Sequence, residues 1–319
     1  MKLTISPRQL LLIEVLFWII IAATYFIFPD RLVLITQILI AGLFAVSLDI
    51  ALGYAGILTV GHAAFFGAGA YLAGLLAKYG WGEPFSALGL ALIVCGVLGY
   101  LLSYLVVKGA ELTRLMITIG ICVMLYELAN RFSSVTGGAD GLQGVVIDPL
   151  FGLFEFDLWG KVGFIYTLSI VLLVFLGVRL MLKSPFGLAL KGIHDNPRRM
   201  RAIGSPVDAR LRTAYCFSAA IAGVAGALLA QNTQFVGLEM IGFNRSAEIL
   251  IVLILGGTGR LYGGIIGAIL YMCVHEFFAD LNPQFWMFWL GIFLIVIVMV
   301  GRGGVLGGLA RIVRIKETR

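Results

Sequence analysis

The chain has 319 residues, 61% of them hydrophobic and 13% charged, with a net charge of +6 and a mean hydropathy of +1.03. A soluble domain of this length cannot hide so much apolar surface, and uncharged runs of about twenty residues recur along it. Short alternating segments of the β-barrel kind are missing, so the expected fold class is an all-α polytopic membrane protein, and the positive charge reads as membrane orientation rather than nucleic-acid binding.

The first apolar run, Leu10 to Phe28, resembles a signal peptide, but it is too long for an h-region and no A-x-A site follows; it is expected to stay as a span. About ten spans are predicted over a single transmembrane domain, 1–319: 10–28, 32–52, 57–77, 85–107, 115–131, 162–182, 213–231, 247–262, 263–279 and 285–301. With Lys2 and Arg8 in the cytoplasm, an even number of crossings returns the C-terminus there. Of the 23 positive charges, all but Arg31, Lys78, Arg131, Lys161 and Arg245 then fall inside, a strong positive-inside bias. Shifting the phase by one span would destroy it. Cys95, Cys122, Cys216 and Cys273 all fall in apolar runs without metal spacing, so they read as small hydrophobes, with no disulfide or metal site expected.

The third span opens on a glycine cluster, Gly53-Tyr-Ala-Gly56 through Gly61-His62. A second cluster, Gly256-Gly257-Thr-Gly259 through Gly264, separates the eighth and ninth. Spans 2–5 and 7–10 would be inverted relative to one another, and paired interrupted spans in inverted halves point to a transport path near the midplane. Gly53, Gly56, Gly61, His62, Gly256, Gly257 and Gly259 are the candidates to line it. Other small-residue pairs, Ala63/Gly67, Ala219/Gly223 and Gly263/Gly267, read as close helix packing.

Between spans 5 and 6 lies the one sizeable extracytoplasmic loop, 133–161, opening Thr136-Gly-Gly-Ala-Asp140-Gly. Its Asp140, Asp148, Glu155 and Asp157 make it either an outer docking surface or a solvated connector. The cytoplasmic loop 183–212 carries Lys183, Lys191, Arg198, Arg199, Arg201, Arg210 and Arg212. It contains a short punctuated helix, about Arg198 to Ile203: Asn196 suits the cap, Pro197 the first position, and Gly204 the left-handed stop. Met200 and Ile203 share a face by spacing and the arginines take the rest. Topology alone asks only for charge, so capping and an apolar pair point to a peg that docks on a cytosolic partner.

Asp49, His62, Glu127, Glu248 and Glu276 lie in or near spans, where ionisable groups are expensive and face protein or water; Glu14 sits where it can snorkel. They form no relay at helical spacing. The chain carries no G-x-x-x-x-G-K-[ST] and no Ser/His/Asp constellation, so a transport subunit is expected and not an enzyme.

Four ordered stretches resemble a known family: LGYAGILTVGHAAFFGAGAYLAGLL, TGGADGL, SPFGLALKGIHDNPRRMRAIG followed by YCFSAAIAGVAGALLA, and ILGGTGRLYGGIIGAIL. Together, from about residue 40 to 302, they are similar to the M-type permease subunits of branched-chain amino-acid and urea-type ABC importers. The resemblance implies a multi-pass protein of a bacterial or archaeal inner membrane, in contact with membrane lipid. It implies a second homologous permease, two cytosolic ATPases that bind ATP and Mg, and a periplasmic solute-binding protein, with no cofactor in this chain. It implies that the loop matching Asp195–Gly204 couples to an ATPase. Asp49 stands where relatives often carry a neutral polar residue. Two other classes remain on the residues alone: an ion-coupled secondary transporter that works without ATPases, and a membrane scaffold, which would not need glycine-broken spans.

Overall fold

The structure, a computed structural model, describes residues 7–157 and 159–300. Its regular elements are α1 (Pro7–Ile27), α2 (Leu32–Asp49), α3 (Ala63–Lys78), α4 (Pro84–Val106), α5 (Glu111–Arg131), α6 (Ser133–Thr136), α7 (Lys161–Lys183), α8 (Pro185–Asp195), α9 (Pro197–Ala202), α10 (Val207–Thr233), α11 (Phe243–Gly256), α12 (Gly263–Leu281) and α13 (Trp286–Val300). Among the described residues no strand forms, only the isolated bridges Leu142–Val236 and Leu150–Phe154.

A helix lies over each of the ten predicted stretches. By length and composition, six segments among the described residues suit a membrane crossing: Pro29–Tyr54, Pro84–Val106, Glu111–Arg131, Lys161–Lys183, Val207–Thr233 and Gly263–Leu281. The clearest departures are α3 and α11, at 16 and 14 residues. At about 1.5 Å per residue neither covers a hydrocarbon core of about 30 Å. The reason is backbone that leaves the helix before each of them, at 55–62 and at 234–242. Both chain termini, expected in the cytoplasm, lie outside the described residues.

Two helices form the centre. In α2 and α10 the most apolar stretch is 78% and 83% buried, against 22–33% for α4, α5, α7 and α12. Packing around them is reciprocal: α3 and α4 lie against α10, whereas α11 and α12 lie against α2. The α10 sequence allows this because it presents Ala219, Ala222, Gly223, Ala225, Gly226 and Ala227 to its neighbours, all buried. A side chain on Gly226 would strike the Phe66 carbonyl, and one on Gly223 would strike Cys95 of α4. Gly264 likewise rests on the backbone of Ala45 and Val46 of α2. With lipid as apolar as leucine, such close approach is what holds membrane helices together. The expected small-residue faces therefore do pack on neighbours: Gly67 meets Ile241, Gly223 meets Cys95 and Gly267 meets Val252.

At the periphery, Glu14 of α1 forms an ion pair with Arg179 of α7, both about one-fifth exposed. This partner replaces the snorkelling expected for Glu14. Cys95 and Cys122 are buried free thiols, while Cys273 is exposed.

The packing makes a sharp prediction. Gly226→Ala should lower the thermal midpoint of the purified protein, by the roughly 1–3 kcal/mol of an overpacked core. Gly177→Ala on α7, where an added methyl meets nothing within 4 Å, should leave it unchanged or raised. Equal effects would show that helix propensity, and not helix approach, sets the response; both midpoints are read by fluorescence in detergent.

Candidate functional site

The site begins where α2 stops being regular. After Asp49 the backbone widens into a π-helical turn, Ile50–Tyr54, and then leaves the helix. Such turns mark functional breaks in helices more often than chance. The Ile57 amide still reaches back to the Ala51 carbonyl at 2.7 Å, closing the break. Gly56 is in the left-handed region, with φ 70°, so a side chain there would be strained as well as crowded by the His194 ring.

Asp49 is 1% exposed, and its Oδ1 accepts a hydrogen bond from the Gly259 amide at 2.7 Å. That bond joins the two glycine clusters. A Cβ on Gly53 would run into the Asp49 carboxylate and the Gly259 backbone, so only glycine permits the approach. Gly257 and Gly259 have φ of 109° and 72°, which lets the chain turn from α11 into α12. Gly256 abuts the backbone of Gly263 and Gly267.

Further along the break, the Val60 amide donates to Thr118 Oγ1 of α5 at 3.4 Å, and Gly61 lies against the Thr118 carbonyl. His62 is fully buried and stacks on Phe44. Its Nε2 is 3.2 Å from Ser47 Oγ of α2 and 3.2 Å from Ser218 Oγ of α10. The next amide, Ala63, donates to Ser246 Oγ of α11 at 2.8 Å. The N-terminal ends of the two short helices therefore meet beside the central helix pair. The seven residues expected to line a path are thus brought into one region: Gly61, His62, Gly256 and Gly257 are buried, Gly53 and Gly56 half-buried, and Gly259 exposed. Gly53, Gly61 and Gly256 serve close backbone contact, Gly56, Gly257 and Gly259 serve chain reversal, and His62 fills the centre.

The first glycine cluster precedes α3 and the second follows α11. The stretch 234–242 precedes the other short helix and turns through Gln234 (φ 52°) and a short 3-10 turn at Leu238–Met240 before α11. It holds no run of glycines, and its one non-glycine left-handed residue has no distinct pattern in the sequence. Ser47, Ser218, Ser246 and Thr118 were also missed. Their only sequence signal is that of small hydroxyls inside apolar runs, and such residues also bond harmlessly to their own helix.

Loop 183–212 holds two short helices, α8 and α9. Asn196 caps α9 by accepting from the Arg199 amide at 3.0 Å, Pro197 occupies the first turn, and Gly204 (φ 82°) follows the end. The helix is Pro197–Ala202, slightly earlier than predicted. Arg201 pairs with Asp208 at 2.9 Å on the surface, while Arg198 and Arg199 are exposed. Met200 and Ile203 do not share a face. Met200 turns inward onto Gly192 of α8, whereas Ile203, already past the last helical residue, is 71% exposed. The preceding helix α8 is the larger surprise. It rests on the π-helical turn, with His194 at Gly56 and the Lys191 ammonium 5.8 Å from the Tyr54 ring.

In loop 133–161, Gly137, Gly138 and Gly141 all have positive φ and make a tight turn, and Leu142 bridges to Val236. Asp140, Asp148 and Glu155 are exposed. Asp157 is not free for docking, because its Oδ1 accepts from the Val162 amide in the first turn of α7 at 3.1 Å.

Six helices suited to a membrane crossing, with two shorter helices whose N-terminal ends meet beside the central pair, define an α-helical membrane protein. The chain belongs to the branched-chain amino acid transport system / permease component family, which matches residues 31–300. It is 28% identical over 320 residues to the high-affinity branched-chain amino acid transport system permease protein LivM of Salmonella typhimurium, covering 93% of this chain and 74% of that one. The LivM protein of Escherichia coli matches with the same identity and coverage. A probable branched-chain amino acid transport permease protein LivH of Methanocaldococcus jannaschii is 28% identical over 207 residues, 62% of this chain and 64% of its own. No solved structure matches.

The inward seat of Met200 is testable on the chain alone. Met200→Ala should loosen α9 and speed tryptic cleavage at Arg198, Arg199 and Arg201, since it removes a contact worth about 1–3 kcal/mol. Ile203→Ala should leave cleavage unchanged. Equal protection in both variants would place Met200 on the surface instead.

Proposed function

We propose that the chain is one of two homologous permease subunits of an ATP-binding-cassette importer. It forms half of the path for a branched-chain amino acid or a related small polar or carboxylate solute. Two cytosolic ATPases, which bind ATP and Mg, drive it, and a periplasmic binding protein delivers the solute across the inner membrane. The observation that carries this reading is the seat of α8 on the break in α2: the helix leading into the capped peg touches Gly56 through His194, three residues from the Gly53–Gly259 contact. A displacement of α8 by an ATPase has a direct mechanical route to the break in α2 and to the turn between α11 and α12.

The rest follows from this arrangement. Ten crossings with both termini in the cytoplasm put α8 and α9 on the ATPase side and loop 133–161 on the other. Reciprocal packing of α3 and α4 on α10, and of α11 and α12 on α2, supports an inverted pair of halves. The peg offers Ile203, Arg198 and Arg199 to the ATPase, with Arg201 already engaged by Asp208. The outer loop offers Asp140, Asp148 and Glu155 to basic groups of the binding protein, which steers encounter.

Topology is tested in a Cys273→Ser background with a membrane-impermeant thiol reagent. Ala139→Cys should react in intact cells and Ala202→Cys only after lysis; the opposite pattern would invert the whole assignment. Coupling is tested in vesicles reconstituted with every subunit. Met200→Pro should break α9 and uncouple ATP hydrolysis from uptake, because proline within a helix costs about 3 kcal/mol. Gly56→Leu and Gly257→Leu should abolish uptake in complexes that still assemble. Normal coupled transport by all three would remove both the peg and the breaks from the mechanism.

A further inference from the structure

The exposed faces of the outer helices differ in kind. On α4 the exposed positions include Ile93, Val97, Leu101 and Leu105, a surface of hydrocarbon suited to lipid. The last two turns of α5 are also exposed, yet there the helix presents Glu127, Asn130 and Arg131 beside Met124 and Leu128. Neither Glu127 nor Arg131 makes an ion pair with another described residue. Ionisable groups on a membrane helix face protein or water, not acyl chains, so this face borders something polar.

These five residues line an open pocket of about 480 Å³, within the roughly 300–1,000 Å³ of small-ligand sites. Met124, Glu127, Leu128 and Arg131 follow the i, i+3, i+4, i+7 spacing of one helical face. The lining therefore sets a carboxylate, a guanidinium, an amide and two apolar side chains within one small volume. We infer that this pocket is a half-site for a zwitterionic amino acid with an aliphatic side chain, on its way between the outer loop and the centre of the chain. Glu127 receives the ammonium group, Arg131 holds the carboxylate in its two-pronged donor geometry with Asn130 beside it, and Met124 and Leu128 cover the aliphatic group. The pocket is open because all of its lining comes from α5; the opposite wall belongs to the second permease subunit. This inference rests on the importer reading and names the solute contacts that reading leaves open.

The test uses the assembled complex carrying Cys273→Ser. Met124→Cys should be labelled by a small maleimide, and L-leucine should protect it, whereas leucinamide, without the carboxylate, and isocaproate, without the ammonium group, should not. In vesicles, Glu127→Gln and Arg131→Gln should each lower leucine uptake about tenfold or more, the loss expected for one charged hydrogen bond. Met124→Phe should shift the leucine-to-alanine uptake ratio toward alanine by roughly tenfold, a change that misfolding does not produce. No protection by leucine, or an unchanged ratio in Met124→Phe, overturns the half-site. If Glu127→Gln and Arg131→Gln instead strip the second permease from the purified complex while the Met124→Phe ratio stays fixed, the pocket is a subunit contact. Leucine protection at Met124→Cys together with no ATP-driven uptake by wild-type vesicles would retain the pocket and remove the importer.

Discussion

Backbone that leaves a helix inside a membrane must find partners for every amide and carbonyl it frees, because lipid supplies none. The architecture around residues 55–63, 234–242 and 257–262 answers that demand. Thr118 takes the Val60 amide, Ser246 takes the Ala63 amide, Asp49 takes the Gly259 amide, and the Ile241 carbonyl receives the Cys122 thiol. These partners come from three helices: Thr118 and Cys122 from α5, Ser246 from α11 and Asp49 from α2. The breaks therefore cannot form alone, and α2, α5, α10 and α11 are positioned as much by what they must satisfy as by what they bury.

The same demand explains why glycine and alanine dominate where hydrophobic bulk might be expected. A hydroxyl or carboxylate reaches a neighbouring backbone only if the helices approach closely, and Gly53, Gly226 and Gly264 set that approach. Removing a small residue and removing a polar one are thus linked errors. A larger side chain at Gly53 would push Gly259 out of reach of Asp49 and leave a buried carboxylate without its donor, which costs more than the steric clash itself.

Most of the helical framework was legible in the sequence because apolar run length is a strong signal, and the cap and stop of α9 were legible because Asn196, Pro197 and Gly204 each have one local role. Long-range features were not. That Met200 points inward depends on Gly192, a residue of the preceding helix brought near by the turn at Asn196. The break at 234–242 escaped notice because Gln234 adopts a left-handed conformation that glycine usually signals. Asp49 was visible as an expensive residue, but its partner lies 210 positions away and was beyond any local pattern.

The contact of Met200 with Gly192 has a mechanical consequence. It braces α8 and α9 into a stiff elbow instead of two helices on a swivel. A push on the α9 limb then arrives at the far limb as torque, since a rigid bent lever rotates about its support. The support is the seat of α8 on Ile50–Tyr54, and the point that turns is His194 against Gly56. A small rotation there twists the exit of α2 about its own axis, and the Asp49–Gly259 bond passes the twist to the turn between α11 and α12.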